Sequence, residues 1–234
     1  RGYAPDEARE YIRNDPTVLA ATLVRCGDAD AMLCGLVGRY SRHLKHVEET
    51  IGTAPGVRRL TAMNAVVLPS GPLFIADTYV QIDPSAEDLA EITRLCAAEI
   101  RCFGLTPRVA FVSHSNFGSD DSPSAAKMTE ALRLLREQEP ELEVEGEMHA
   151  NLAFDAIGRQ ARFPDSRLTG RANLLIMPNQ DAANIAFNLL RTLDDAAAFG
   201  PMLLGTAQAA HIVTPSATVR GLLNMTALAV VQAG

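Results

Sequence analysis

Tryptophan is missing from this 234-residue chain, and aromatic residues together make up only 5% of it. Base-stacking platforms and aromatic sugar-binding shelves need more π surface than that, so both lose support and the core has to be aliphatic. Basic charge is also short: 21 Lys+Arg stand against 28 Asp+Glu, for a net charge of −7. That balance argues against nucleic acid or an anionic membrane as the main partner. The longest apolar stretches, such as Ala31–Val37 and Thr226–Val231, fall far short of the roughly 20 residues that a membrane helix needs. The polar start, RGYAPDEAREYIRNDP, lacks the apolar centre of a signal peptide, so a soluble, cytoplasmic chain is expected. It also opens without Met on a helical pattern, as expected of a segment of something longer.

The familiar phosphate and hydrolase signatures are absent as well. There is no GxxxxGK[ST], no GxGxxG after a strand and no GxSxG. The cysteines Cys26, Cys34, Cys96 and Cys102 fit no zinc or CxxC spacing, and buried free thiols are the expectation for Cys34, Cys96 and Cys102. His43, His46 and Glu49 share one helical face at a spacing that could meet a metal. With no further ligand cluster in the sequence, a solvated polar face is the expectation there, and no metal.

What is present is a repeated alternation of buried strands and helices. Asp15-Pro16 reads as the start of a helix running through Val24 and stopped by Gly27. A strand is predicted over Ala31–Val37, then a helix over Arg42–Ile51. Leu60–Leu68 and Leu73–Val80 flank Pro69-Ser70-Gly71-Pro72 and form a hairpin. Helices follow over Ala86–Cys102, capped by Asp83-Pro84-Ser85, and over Pro123–Glu137 with a stripe at Ala126, Leu132 and Leu135. Further strands are predicted at Arg108–Ser113, Ala172–Met177, Met202–Leu204 and His211–Val213, with helices at Asp181–Leu193 and Thr218–Gln232. Such alternation predicts an α/β fold with a largely parallel sheet.

In that fold class ligands gather where strands end and helices begin. Three polar turns stand at such places. The first is Ser113–Ser122, with Ser113, His114 and Ser115 foremost, and an ordinary turn is an equal reading of the same residues. The second runs from Pro178 to Asn184, where Asn179 or Asp181 could simply cap a helix. The third is Thr214-Pro215-Ser216-Ala217-Thr218, which could bind an anion or use Thr214 or Ser216 as a cap.

Taken in order, these elements resemble the phosphate acetyl/butyryltransferase (phosphotransacetylase) family. The resemblance is carried by Ala76-Asp77, Pro84-Ser-Ala-Glu87, the Ser113–Ser122 loop, Gly146-Glu147, Gly170-Arg-Ala-Asn173, the turn from Pro178 to Asn184, and the Gly200-Pro201 strand. It covers nearly all of the chain. It implies a three-layer α/β/α architecture with a mostly parallel sheet in two lobes, like the isocitrate and isopropylmalate dehydrogenases. The lobes would be residues 51–211 and an incomplete first lobe of 1–50 with 212–234.

The departures from the family are as informative. Active members carry Ser-Arg in the last turn and an Asp further along, for gripping the acyl phosphate and deprotonating the CoA thiol. Here those positions resemble Thr214, Pro215 and Gly221, and neither proline nor glycine can supply a cation or a base. No catalytic residue is therefore expected. Another family cation maps to Lys45, which keeps the charge without a bidentate grip. The ligand-binding candidates are Lys45, Ser113, His114, Ser115, Asn179, Asn184, Thr214 and Ser216.

Gly35-Leu-Val-Gly-Arg39 and Met177-Pro-Asn-Gln-Asp-Ala-Ala-Asn184 resemble one branch, the C-terminal domains of large bacterial NADP-dependent malic enzymes. That resemblance implies a regulatory module with no cofactor of its own, binding acetyl-CoA or a related acyl-CoA as effector. An upstream malic-enzyme domain would turn (S)-malate into pyruvate, CO2 and NADPH with NADP and Mg or Mn. A homodimer or higher oligomer is the family precedent. Two other readings stay open: a working phosphate acetyltransferase using Ser216 with His211 or His114, and an oligomerisation domain that binds nothing.

Overall fold

The structure is a computed structural model and describes residues 4–193 and 197–234. The chain begins with α1 (Pro5–Asn14) and α2 (Pro16–Cys26). Asp15 separates them: its Oδ1 accepts from the Thr17 and Val18 amides at 2.9 and 3.4 Å, while Pro16 opens α2 where no amide is needed. Gly27, in the left-handed region at φ 81°, ends the helix as its sequence position predicts. Strand β1 (Met32–Cys34) is shorter than the apolar run suggests. It stops at Gly35, where φ is 106° and a Cβ would collide with the Val213 carbonyl. Helix α3 (Tyr40–Thr50) follows.

Strands β2 (Thr61–Leu68) and β3 (Gly71–Ala76) form the expected antiparallel hairpin, with Leu68 opposite Gly71. β3 ends four residues earlier than its apolar run, because Asp77 takes the following amides. Helix α4 (Ala86–Cys102) starts at a reciprocal cap: Ser85 Oγ accepts from the Asp88 amide, and Asp88 accepts from that of Ser85. After β4 (Arg108–Val112) comes α5 (Pro123–Gln138). Its buried face is Ala125, Met128, Ala131, Leu132 and Leu135; Ala126 of the predicted stripe is exposed, one step round the helix from the face that packs.

β5 (Glu143–Met148) leads to the short helices α6 (Ala150–Phe154) and α7 (Ala156–Arg162), then to β6 (Leu174–Ile176) and α8 (Gln180–Leu193). β7 (Ala197–Leu204) begins before the predicted Met202, and β8 (Ala210–Ile212) and α9 (Val219–Ala233) complete the chain. No helix among the described residues is long and apolar enough to cross a membrane. All four cysteines are free thiols, but only Cys96 is buried; Cys34 is half-buried, and Cys102 faces solvent in the last turn of α4, against expectation.

The chain divides into two compact units, residues 61–198 and the remainder at both ends. Beside the lobes suggested by the resemblance, the unit built from the chain ends also takes in residues 51–60 and 199–211. In that unit β1 and β8 pair in parallel, Leu33 beside His211. In the other, the strands run in the order β5-β4-β6-β3-β2, with every pair except β2/β3 parallel. Helices α4 and α5 cover one face of this sheet. On the other, α6 and α8, the latter through Phe187, close over Val66, Ile75, Val112 and Leu175, making the three-layer α/β/α arrangement.

One residue ties down the long connection after β5. Arg159 in α7 is fully buried, and its guanidinium donates to the carbonyls of Leu152, Leu168 and Gly170 at 2.6, 2.7 and 2.6 Å. A planar group with several fixed donors suits three carbonyls arriving from different segments. Arg159→Met keeps the apolar stem but strands those carbonyls. We expect it to cost about 3 kcal/mol or more of unfolding free energy, each orphaned buried acceptor costing about 1 kcal/mol or more. Urea unfolding measures this; a loss well under about 1 kcal/mol would show that the carbonyls find other partners.

Candidate ligand-binding site

Parallel register brings the predicted turns of the larger unit to one edge. Ala76, Ile176 and Phe111 stand side by side in β3, β6 and β4, and β5 runs alongside with Met148 beside Val112. The loops that follow all four strands therefore leave the same end of the sheet, where ligands collect in open α/β folds.

The loop after β4 is the most tightly organised. Ser115 is fully buried and donates to Glu147 Oε1 at 2.6 Å, while its own oxygen accepts from the Asp120 amide at 3.1 Å. Ser113 Oγ accepts from the Ser115 amide at 3.2 Å. His114 points outward: its Nε2 lies 3.2 Å from both Asp120 Oδ1 and Ser122 Oγ. Both neighbours share one ring nitrogen, so this is no relay of the Ser-His-Asp kind, in which acid and nucleophile meet opposite nitrogens. The Ser122 and His114 hydrogen bonds hold the Asp120 carboxyl below the ordinary carboxylate value.

Two buried carboxylates anchor this edge. Asp77 receives the amides of Tyr79, Val80 and Gln81 and the hydroxyl of Thr61. Burial pushes its carboxyl up against those donors. Glu147 behaves oppositely: burial pushes it up, but the hydrogen bonds from Ser115, Gly118 and Thr129 outweigh burial and hold it below the ordinary value of 4.5. Neither carboxylate was among the sequence candidates. The only sign of them was the short pairs Ala76-Asp77 and Gly146-Glu147.

After β6, Asn179 is a helix cap, its Oδ1 accepting from the Ala182 amide at 2.9 Å. Asn184 reaches across to the β3 loop and donates to the Thr78 carbonyl at 3.2 Å. Gln180 does likewise through its amide, to the Ile82 carbonyl at 3.0 Å. The β3 and β6 loops are thus laced together, and Lys127 of α5 adds an ion pair to Asp83 at 2.6 Å.

The remaining candidates belong to the other unit. Lys45 is exposed and weakly paired with Glu49 at 3.8 Å. Thr214 and Ser216 bond each other at 3.0 Å and cap nothing; the cap of α9 is Thr218, whose hydroxyl accepts from the Gly221 amide at 3.0 Å. His211 is fully buried; its Nδ1 accepts from the Leu203 amide at 3.2 Å, and burial pushes its pKa down to about 4. It is a core histidine.

His43 and His46 also differ from expectation, lying buried against α2 rather than on a solvated face. His43 Nε2 donates to the Val37 carbonyl and Nδ1 meets the Thr17 hydroxyl, both at 2.8 Å. His46 lies 3.3 Å from Asp15. Among the described residues no group of His, Cys, Asp and Glu converges as metal ligands do.

A family model described as phosphate acetyl/butaryl transferase matches residues 1–230. An NAD-dependent malic enzyme of Rhizobium meliloti (strain 1021) is 52% identical over 231 residues, covering 99% of this chain and 30% of that protein. An NADP-dependent malic enzyme of Escherichia coli (strain K12) is 50% identical over 234 residues, covering 100% of this chain and 31% of that protein. A phosphotransacetylase from Streptococcus pyogenes superposes with a TM-score of 0.90 at 26% identity, over 96% of this chain and 69% of its own. The chain therefore spans less than a third of the malic enzymes it matches.

Because the folded Glu147 carboxyl sits below 4.5, its ionised form contributes stability above that value and loses it as pH falls through the folded pKa. Glu147→Gln keeps the shape and removes the charge. We expect the variant to be about 1 kcal/mol less stable at pH 7, with the gap closing as the pH drops below 4.5. Urea unfolding of both proteins across that range checks it; a gap that widens toward acid would contradict the assignment.

Proposed function

Because the chain belongs to the phosphate acetyl/butaryl transferase family, we propose that it is an acyl-CoA-sensing, catalytically silent module of a malic enzyme. The observation that carries this reading is the turn before α9. Family resemblance assigns the phosphate-gripping cation to Pro215 and the thiol base to Gly221. From Thr206 to Gly234 the sequence holds one cation, Arg220, and no carboxylate. The Gly221 amide is engaged with Thr218, so this stretch serves helix capping. His211, the remaining base in the stretch, is buried and pushed toward neutrality. Acyl transfer to CoA draws most of its acceleration from placed charge and proton removal, and neither has a carrier here.

Binding asks for less: the loops after β3, β4 and β6 offer hydroxyls and amides at one sheet edge. In this reading acetyl-CoA, or a related acyl-CoA, is the effector. It would favour one arrangement of the module, and that preference supplies the coupling energy. Malate oxidation and decarboxylation, with NAD or NADP and a divalent metal, would belong to the part of the enzyme outside this chain. Kinship to malic enzymes at 52% and 50% identity supports that placement. A homodimeric or larger assembly goes with the same reading.

Calorimetry with acetyl-CoA and an assay of acetyl phosphate turnover with CoA, on the same 234-residue protein, test the proposal together. We expect binding without turnover. Turnover at an ordinary enzymatic rate would overturn the reading in favour of a working acetyltransferase. Neither binding nor turnover would leave an oligomerisation domain.

A further inference from the structure

The Ser113–Ser122 loop holds only part of its shape by itself: Ser119 Oγ accepts from the Asn116 amide and Ser115 Oγ from that of Asp120. Eight of its ten residues are Ser, Asn, Gly or Asp, which populate many turn conformations. Its centre is nevertheless specific: Phe117 and Gly118 both lie in the left-handed region, at φ 49° and 80°. Phe117 is the one described non-glycine residue with positive φ, a conformation that a bulky side chain adopts only when its surroundings enforce it.

The acceptors for these two left-handed amides come from one residue of the neighbouring strand. The Phe117 amide donates to the Glu147 carbonyl at 2.7 Å, and the Gly118 amide donates to Glu147 Oε1 at 2.8 Å. The same Oε1 accepts from Ser115 at 2.6 Å. Backbone and side chain of a single residue thus take both left-handed amides and the buried hydroxyl between strand and turn. The residues after it fix the flanks: Ser113 donates to the Met148 carbonyl, and His149 meets Asn116 Oδ1 and the His114 carbonyl. On the far side the Phe117 ring stacks on Phe163 at 3.9 Å between centroids. Thr129 touches Glu147 through the other carboxylate oxygen, at 2.9 Å, and not through the one that takes the Gly118 amide.

We infer that Glu147 is a positioning residue: it imposes the conformation in which the loop presents Ser113 and His114, and acyl-CoA affinity depends on it. The affinity half of this inference rests on the acyl-CoA reading above; the conformational half stands without it. Amide hydrogen exchange on the free protein reads the second half directly. Glu147→Ala should speed exchange of the amides from 114 to 120 at least tenfold and weaken acetyl-CoA binding at least tenfold. Ser115→Ala, which removes the buried hydroxyl but not the carboxylate, is the second variant should Glu147→Ala fail to fold, with the same direction expected. Thr129→Val is the matched control: it loses a Glu147 contact yet should leave loop exchange and affinity within twofold of the parent.

Equal loosening by Thr129→Val and Glu147→Ala would overturn the inference, since any disturbance around α5 would then suffice. So would an unchanged loop in both Glu147→Ala and Ser115→Ala. A loosened loop with undiminished acetyl-CoA affinity would refute the link to binding. If the parent protein binds no acetyl-CoA, the functional reading falls, while the exchange rates still decide whether Glu147 sets the loop.

Discussion

A backbone amide that leaves a strand or helix end without a ladder partner needs an acceptor, and in this protein buried or half-buried carboxylates supply many of them. Asp77 gathers three amides beyond β3, and Glu147 takes the Gly118 amide beyond β4. Asp15 opens α2 through the Thr17 and Val18 amides. Glu145 receives Arg167, and Glu143 receives Thr169 and Gly170. The strand-end loops keep their shape because of these contacts, and the candidate site is built from those loops. Cations back three of the acids: Arg42 on Asp15, Arg136 on Glu145 and Arg108 on Glu143. Arg159 is the mirror case, one buried cation serving three carbonyls. Part of the acidic excess in the composition therefore faces backbone rather than solvent.

Much of the fold was legible because its boundaries are made by local chemistry. The Asp15-Pro16 start, the Ser85 cap, the Gly27 stop and the Pro69–Pro72 turn each act within a few residues, so their spelling suffices. What stayed hidden depends on tertiary partners. β5 reads as polar because Glu143, Glu145 and Glu147 alternate along it, and only their hydrogen-bond partners make burial tolerable. Arg159 carries no local sign of its three carbonyl partners, which lie on other segments. His43 and His46 read as a wet face for the same reason: nothing near them in sequence tells of Thr17, Val37 or Asp15.

The site was legible in place more than in working parts. Strand-to-helix alternation put Ser113–Ser122 and the turn from Pro178 to Asn184 at strand ends, and the register brings both to one edge. Asn179 has the capping role weighed for it, whereas Thr214 and Ser216 yield theirs to Thr218, closer to the first turn it serves. Glu147 could not be found by scanning the loop, because it lies 25 residues beyond the loop's last serine. Family membership, shown over residues 1–230, adds what no local pattern could: a kinship that extends across nearly the whole chain.

The place of β5 in the sheet has one more consequence. It is the outermost strand on its side, and a flat apolar edge there would invite further strands from other molecules. Its every second residue is instead a glutamate, and the segment from Arg167 to Gly170 hangs on those side chains rather than on the strand's backbone. An incoming strand that displaced these contacts would leave the Arg167, Thr169 and Gly170 amides without their acceptors. The carboxylates that shape the loops also guard the protein against edge-to-edge aggregation.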